Sequence, residues 1–157
     1  METNALDAPG CLACDLTQGR RPLPGGLIAE VDGWRVEHCV GPLGLGTLLV
    51  KPTRHVLSVA GLSEGEAAAL GPLLQRTASV VSDLCEPDQV YVCLWSHAGG
   101  QPGHIHFVVQ PVTQQAITEH GGVYGPELQM AMFNRQKYPS EQAVVQFADS
   151  ARRLLAS

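Results

Sequence analysis

Apolar residues fall in short runs over the first half of the chain, at 27–31, 34–40 and 47–50, cut apart by glycine and proline. Runs of this length between turn formers predict β-strands. Asp32-Gly33 links the first two, and that dipeptide favours the positive φ of a two-residue turn, so residues 27–40 are expected to form an antiparallel hairpin. The stretch Gly41-Pro42-Leu43-Gly44-Leu45-Gly46 is too rich in breakers to be regular and reads as a loop.

The pattern then changes period. Ala67, Leu70, Leu74, Val81 and Leu84 recur near the helical repeat, and Ser63 followed by Glu66 has capping-box spacing, so a helix is expected over 63–84. Pro72 cannot donate to the carbonyl of residue 68, which predicts a kink or a new start at Gly71-Pro72. A strand over 90–95, a Gly-rich loop over 96–103 and a strand over 104–109 follow. Residues 126–134 and 140–155 read as helices, with Tyr138-Pro139 between them. Strands, a helix, strands and then helices imply an α+β domain, with helices on one side of an antiparallel sheet.

Composition narrows the function classes. The 157 residues are 45% hydrophobic and 16% charged, which fits one globular domain over 1–157 with a flexible segment at 1–10. Net charge is −5 and the basic residues are scattered, so no basic stripe is offered to a nucleic-acid backbone, and polymeric nucleic acid is not an expected partner. No apolar run is long enough to span a membrane, and the first ten residues lack a basic segment leading into an apolar one, so a cytoplasmic location is expected. Five cysteines, an odd number with one close pair, fit reduced thiols better than a disulfide framework.

Candidate chemistry centres on the histidines. His104 and His106 stand two apart in an alternating run, so as strand residues they share one face, while Ile105, Phe107 and Val109 share the other. Just upstream, Gly99, Gly100, Gln101 and Gly103 lie in a loop whose exposed backbone N–H groups suit a phosphate. A pair of surface histidines beside a common Gly-rich connection is the plainer alternative. Cys11-x-x-Cys14 with His55 and one of the paired histidines could complete a tetrahedral zinc site. A redox pair is the competing reading of the two cysteines, but no βαβ pattern surrounds them. Cys39, Cys85 and Cys93 occupy apolar positions and read as buried small hydrophobes.

Taken together, the run His104-Ile-His106-Phe-Val108-Val-Gln110-Pro111 resembles the motif of the histidine triad (HIT) superfamily, in which three histidines alternate with apolar residues. Gly100-Gln101, the segment Leu49-Val50-Lys51-Pro52-x-x-His55 and Cys11-x-x-Cys14 extend the resemblance to its zinc-containing bacterial branch, over about residues 11–112, leaving 113–157 as a helical C-terminal extension. The resemblance implies a HIT-like fold with a main central helix and a homodimer using parts of 63–95. It implies structural Zn²⁺ on Cys11, Cys14, His55 and His104, with no catalytic metal. His106 is implied as the nucleophile that attacks the α-phosphate of a purine nucleotide or nucleotide conjugate and forms a nucleotidyl-histidine.

The motif is incomplete. Val108 replaces the third histidine, Pro102 replaces a polar residue, the loop before His104 is one residue short, and the Asn that often precedes the loop has no clear counterpart. His97 or Gln110 could substitute as phosphate donors. Three functions stay open: a nucleotidyl hydrolase or transferase acting on a dinucleoside polyphosphate or nucleoside phosphoramidate, a degenerate domain that binds a nucleotide or partner without turnover, and a zinc-stabilised structural domain.

Overall fold

The computed structural model describes residues 7–157. Five antiparallel strands form the main sheet: β1 (Ala29–Val31), β2 (Trp34–His38), β3 (Leu48–Pro52), β4 (Gln89–Leu94) and β7 (Phe107–Val112), in the order β1-β2-β3-β7-β4. Two short strands, β5 (His97–Ala98) and β6 (Gln101–Pro102), form a separate hairpin. The helices are α1 (Leu12–Thr17), α2 (Glu64–Cys85), α3 (Gln114–Glu119), α4 (Gly125–Arg135) and α5 (Glu141–Ala156). The architecture is α+β, as expected.

The β1–β2 hairpin turns at Asp32 and Gly33 with φ of 47° and 86°, the positive values that the dipeptide favours. Ser63 accepts from the Glu66 N–H while the Glu66 carboxylate accepts from the Ser63 N–H, satisfying two free donors at the start of α2. No new helix begins at Pro72: α2 is one helix of 22 residues running through it. Both Ala68 and Pro72 are exposed, so water can take the hydrogen bond that the proline cannot supply.

Side-chain alternation divides the sheet into two functional faces. Trp34, Val36, Leu48, Val50 and Val109 enter the main core against Leu73, Val80 and Val81 of α2 and Ala148, Ala151 and Leu155 of α5. Burying each such aliphatic side chain contributes about 1.5–3 kcal/mol. The opposite face carries a second cluster, in which Val112 packs with Ile117 of α3 and Leu128 of α4. Helices therefore cover both faces, not one. Val108, Gln110 and Val112 all point away from α2, and covering a face that includes two buried valines requires α4 and the N-terminal arm.

Strand His104–Val109 is corrected to Phe107–Val112, because His104 to His106 bridge to other backbone instead of pairing in the sheet: the Ile105 N–H donates to Val56 O at 2.8 Å. Of the segment expected to be flexible, residues 1–6 lie outside the described residues. Asp7 is paired to Arg20 at 2.8 Å, and the Cys11 N–H donates to Ala8 O at 3.0 Å, so the rest of it is held. Among the described residues no helix is long and apolar enough to cross a membrane.

Candidate functional site

The face turned away from α2 carries a cavity of about 310 Å³. Its floor is laid by alternate residues of three adjacent strands: Glu37 of β2, Leu49 and Lys51 of β3, and Val108 of β7, with His106 just before it. Leu12, Ala13 and Leu16 of α1 close one side, and Trp95, His97 and Phe133 line the rim. This volume is at the small end of ligand sites, which are apolar concavities with a few placed polar groups.

His106 is half-buried on this cavity. Its Nδ1 lies 3.2 Å from the carbonyl oxygen of His104. A carbonyl only accepts, so Nδ1 of the neutral ring carries the proton and Nε2 keeps the lone pair. The backbone thereby sets the tautomer a nucleophile needs.

His104 is buried and faces another task. Its Nε2 donates to Pro52 O at 2.8 Å, which leaves Nδ1 as the lone-pair atom, 3.5 Å from Cys14 Sγ. His55 Nδ1 is 3.4 Å from the same sulfur, and the two rings meet edge to face. One ligand atom each from Cys11, Cys14, His55 and His104 all lie within 4.8 Å of one another. Bonds of zinc to sulfur and nitrogen imply ligand–ligand spacings of about 3.4–3.8 Å at a tetrahedral centre, so the Cys14 contacts already have the right length. The bond from His104 to Pro52 O is the outer-shell support that a metal-bound imidazole usually has. Burial pushes His104 down to about 4, keeping the ring neutral and ligand-ready, and pushes the Cys14 thiol up to about 11, so that metal binding must displace a proton. The donor set is compatible with Zn²⁺.

The arm that carries the two cysteines is anchored to the cavity floor. Lys51 Nζ donates to Ala13 O at 2.8 Å and pairs with Glu37 Oε1 at 2.6 Å. Both side chains are buried. Oε1 is thus held by the ammonium, and Oε2 has no hydrogen-bond partner. The sequence reading missed this pair. Its signal was available: Glu37 and Lys51, like Arg35, are charged residues at the strand positions that alternate with the core residues Val36 and Val50.

The remaining expected residues separate into two groups. His97 and Gly103 line the cavity. The Gly103 N–H, however, is spent on Ser96 O at 2.7 Å, so it is not an open phosphate donor. Gly99 and Gly100 have φ of 58° and 78° and turn the β5–β6 hairpin, which makes the expected loop a small ribbon with an exposed tip. Gly99, Gly100 and Gln101 are not among the lining residues. Gln110 is a further correction. It points to the same face of the sheet as His106 but lies fully buried under α4, its Nε2 donating to Leu43 O and Met132 Sδ and its Oε1 accepting from Gln129 Nε2. Covered this way, it cannot meet a ligand at His106.

No protein-family model matches the sequence, and no curated protein matches it. Solved structures do resemble the fold. A Hit-like protein involved in cell-cycle regulation from Bartonella henselae, solved with an unknown ligand, aligns over 94% of this chain and 97% of its own at 16% identity and a TM-score of 0.69. A hypothetical histidine triad nucleotide-binding protein from Sulfolobus tokodaii aligns over 93% of this chain and 92% of its own, at 16% identity and a TM-score of 0.68. A Zn-bound histidine triad family protein from Mycobacterium smegmatis aligns over 94% of both chains, at 18% identity and a TM-score of 0.65. The chain therefore has the histidine triad fold.

Proposed function

We propose, on the premise that a chain with this fold and this arrangement of histidines is a histidine triad protein, that it transfers or hydrolyses a nucleotidyl group through His106. The observation that carries the reading is the division of labour between neighbouring histidines: His104 directs its lone pair to the cysteine cluster, while His106 keeps its own on the cavity side. Nε2 of His106 attacks the α-phosphorus of a dinucleoside polyphosphate or nucleoside phosphoramidate. An N–P bond forms, the bond from phosphorus to the leaving group breaks, and the leaving group departs with the electron pair and takes a proton from water. The Nδ1 proton, held on His104 O, supports the positive charge of the ring in the intermediate. Water then attacks phosphorus and gives a proton to the hydroxide left by the first step, the N–P bond breaks with its electron pair returning to Nε2, and the neutral imidazole is restored.

Zinc, when bound to Cys11, Cys14, His55 and His104, ties the N-terminal arm to the sheet and takes no part in the reaction. A pair of metal-binding thiols needs a reducing compartment, so we place the chain in the cytoplasm. The open edge of β4, flanked by exposed Val92 and Trp95, is our candidate for the homodimer contact.

One observation favours nucleotide binding without turnover: Val108 offers no donor and the Gly103 amide is spent, which leaves His97 as the polar group of the expected set beside the phosphate. Turnover assays on a panel of adenine and guanine phosphoramidates and dinucleoside polyphosphates, with His106→Ala as control, separate the two. The transfer reading expects turnover that the variant loses. Tight binding with no turnover by the wild type supports the binding module.

A further inference from the structure

The cavity floor holds a buried carboxylate that the proposed reaction does not use. Glu37 has Oε1 against the Lys51 ammonium at 2.6 Å but no hydrogen-bond partner for Oε2, although its side chain is 0% exposed and that of Lys51 only 1%. Buried acceptors are normally satisfied, and leaving a carboxylate short of donors is costly. The cavity itself is otherwise apolar along Leu12, Leu16 and Leu49. Such a floor is built to receive a ligand edge that brings donors.

The register places Glu37 at a useful distance. Glu37 pairs with Leu49, and Leu49 pairs with Val108, so the three lie in one row across the sheet. Neighbouring strands are about 4.8 Å apart, which puts Glu37 about 10 Å from Val108, the residue two beyond His106. That separation is comparable with the span from the phosphorus to the far edge of a purine base in a nucleotide. Lys51 stands between, two residues along β3 from Leu49. It gives one N–H to Ala13 O and engages Glu37, and an ammonium has a third donor left.

We infer that Glu37 and Lys51 make this cavity selective for guanine nucleotides, an inference that rests on the nucleotide reading above. Guanine presents two donors, N1–H and the 2-amino group, beside one acceptor, O6. Glu37 accepts from both donors and Lys51 donates to O6, so every polar atom of the pair and of the base edge is matched. Adenine brings one donor and one acceptor to the same edge and leaves a carboxylate oxygen unpaired. Hypoxanthine keeps N1–H and O6 but lacks the 2-amino group.

Equilibrium titration of the full-length protein with GMP, IMP and AMP tests this. GMP should bind roughly tenfold or more tightly than IMP or AMP, the worth of one hydrogen bond to a buried charged group. Glu37→Gln, which keeps the shape but loses one acceptor, should reduce the advantage of GMP over AMP to about twofold or less. The wild-type ranking needs no variant, so it decides the matter even if Glu37→Gln does not fold. AMP binding as tightly as GMP, or a full GMP preference surviving in Glu37→Gln, overturns the guanine assignment and leaves the nucleotide reading standing. Absence of binding by all three overturns both.

Discussion

His104 holds His106 through its backbone while its own ring faces the cysteine cluster: the carbonyl of His104 is 3.2 Å from His106 Nδ1, and His104 Nδ1 is 3.5 Å from Cys14 Sγ. One residue thus links the cysteine–histidine cluster to the orientation of the candidate nucleophile. A shift of His104 reaches His106 within two residues.

The first expected outcome concerns the metal. Purified protein should carry about one zinc per chain, and Cys14→Ser should lose it and lower Tm by about 10 °C or more, since structural zinc contributes folding free energy directly. Elemental analysis and thermal melts check this. A wild-type chain that is fully folded and metal-free after mild purification contradicts it.

Gln110 should behave as a structural residue. Its amide joins Leu43, Met132 and Gln129 beneath α4, so Gln110→Ala leaves a cavity and removes three hydrogen bonds, while Gln129 keeps Cys93 Sγ and Trp95 Nε1 as partners. We expect a loss of about 2–3 kcal/mol by denaturant titration, with nucleotide affinity little changed. A large loss of affinity at unchanged stability would return Gln110 to the ligand site.

Arg54 clamps both carboxylate oxygens of Glu66 at 2.8 Å and, chiefly through these bonds, holds its carboxyl down to about 2 from 4.5. The folded protein therefore binds this proton more weakly than the unfolded chain. The stabilisation is complete above about pH 4.5 and is lost as pH falls toward 2. Glu66→Gln should cost about 2 kcal/mol at pH 7, because it breaks a largely buried ion pair while its amide oxygen can still accept from the Ser63 N–H, and progressively less below pH 4.5. Melts of both proteins across pH 2–7 give the comparison. An equal deficit at every pH contradicts the assignment.

The elements that the sequence showed are those with strong local chemistry. Asp32-Gly33 announced its turn, Ser63 and Glu66 announced the start of α2, and Cys11-x-x-Cys14 with His55 marked the cluster that the fold assembles. The six-residue helices α1 and α3 were missed because they are too short to display a helical period. Gln110 was misplaced because alternation gives the face of a sheet but not what covers it. Glycines 99 and 100 read as an open loop in the sequence because nothing local says that Ala98 and Gln101 pair across them. Glu37 and Lys51 were passed over as ordinary strand residues, since their ion pair exists only when β2 meets β3.

The sheet ends at β4, whose outer edge has no partner strand among the described residues, and Val92 there is 46% exposed. An uncovered apolar edge favours pairing with a second copy. Light scattering should give a dimer at micromolar concentration, and Val92→Lys should shift it toward monomer. A wild type that is monomeric throughout that range contradicts the contact.

The central claim is that His106 carries the nucleotidyl group, and the most direct measurement is mass spectrometry of protein quenched without acid during turnover. The account expects an added nucleotidyl mass on the peptide containing His106, located to that residue and missing from His106→Ala, which should still bind nucleotide. Turnover without an adduct in the wild type, or undiminished turnover by His106→Ala, would contradict it.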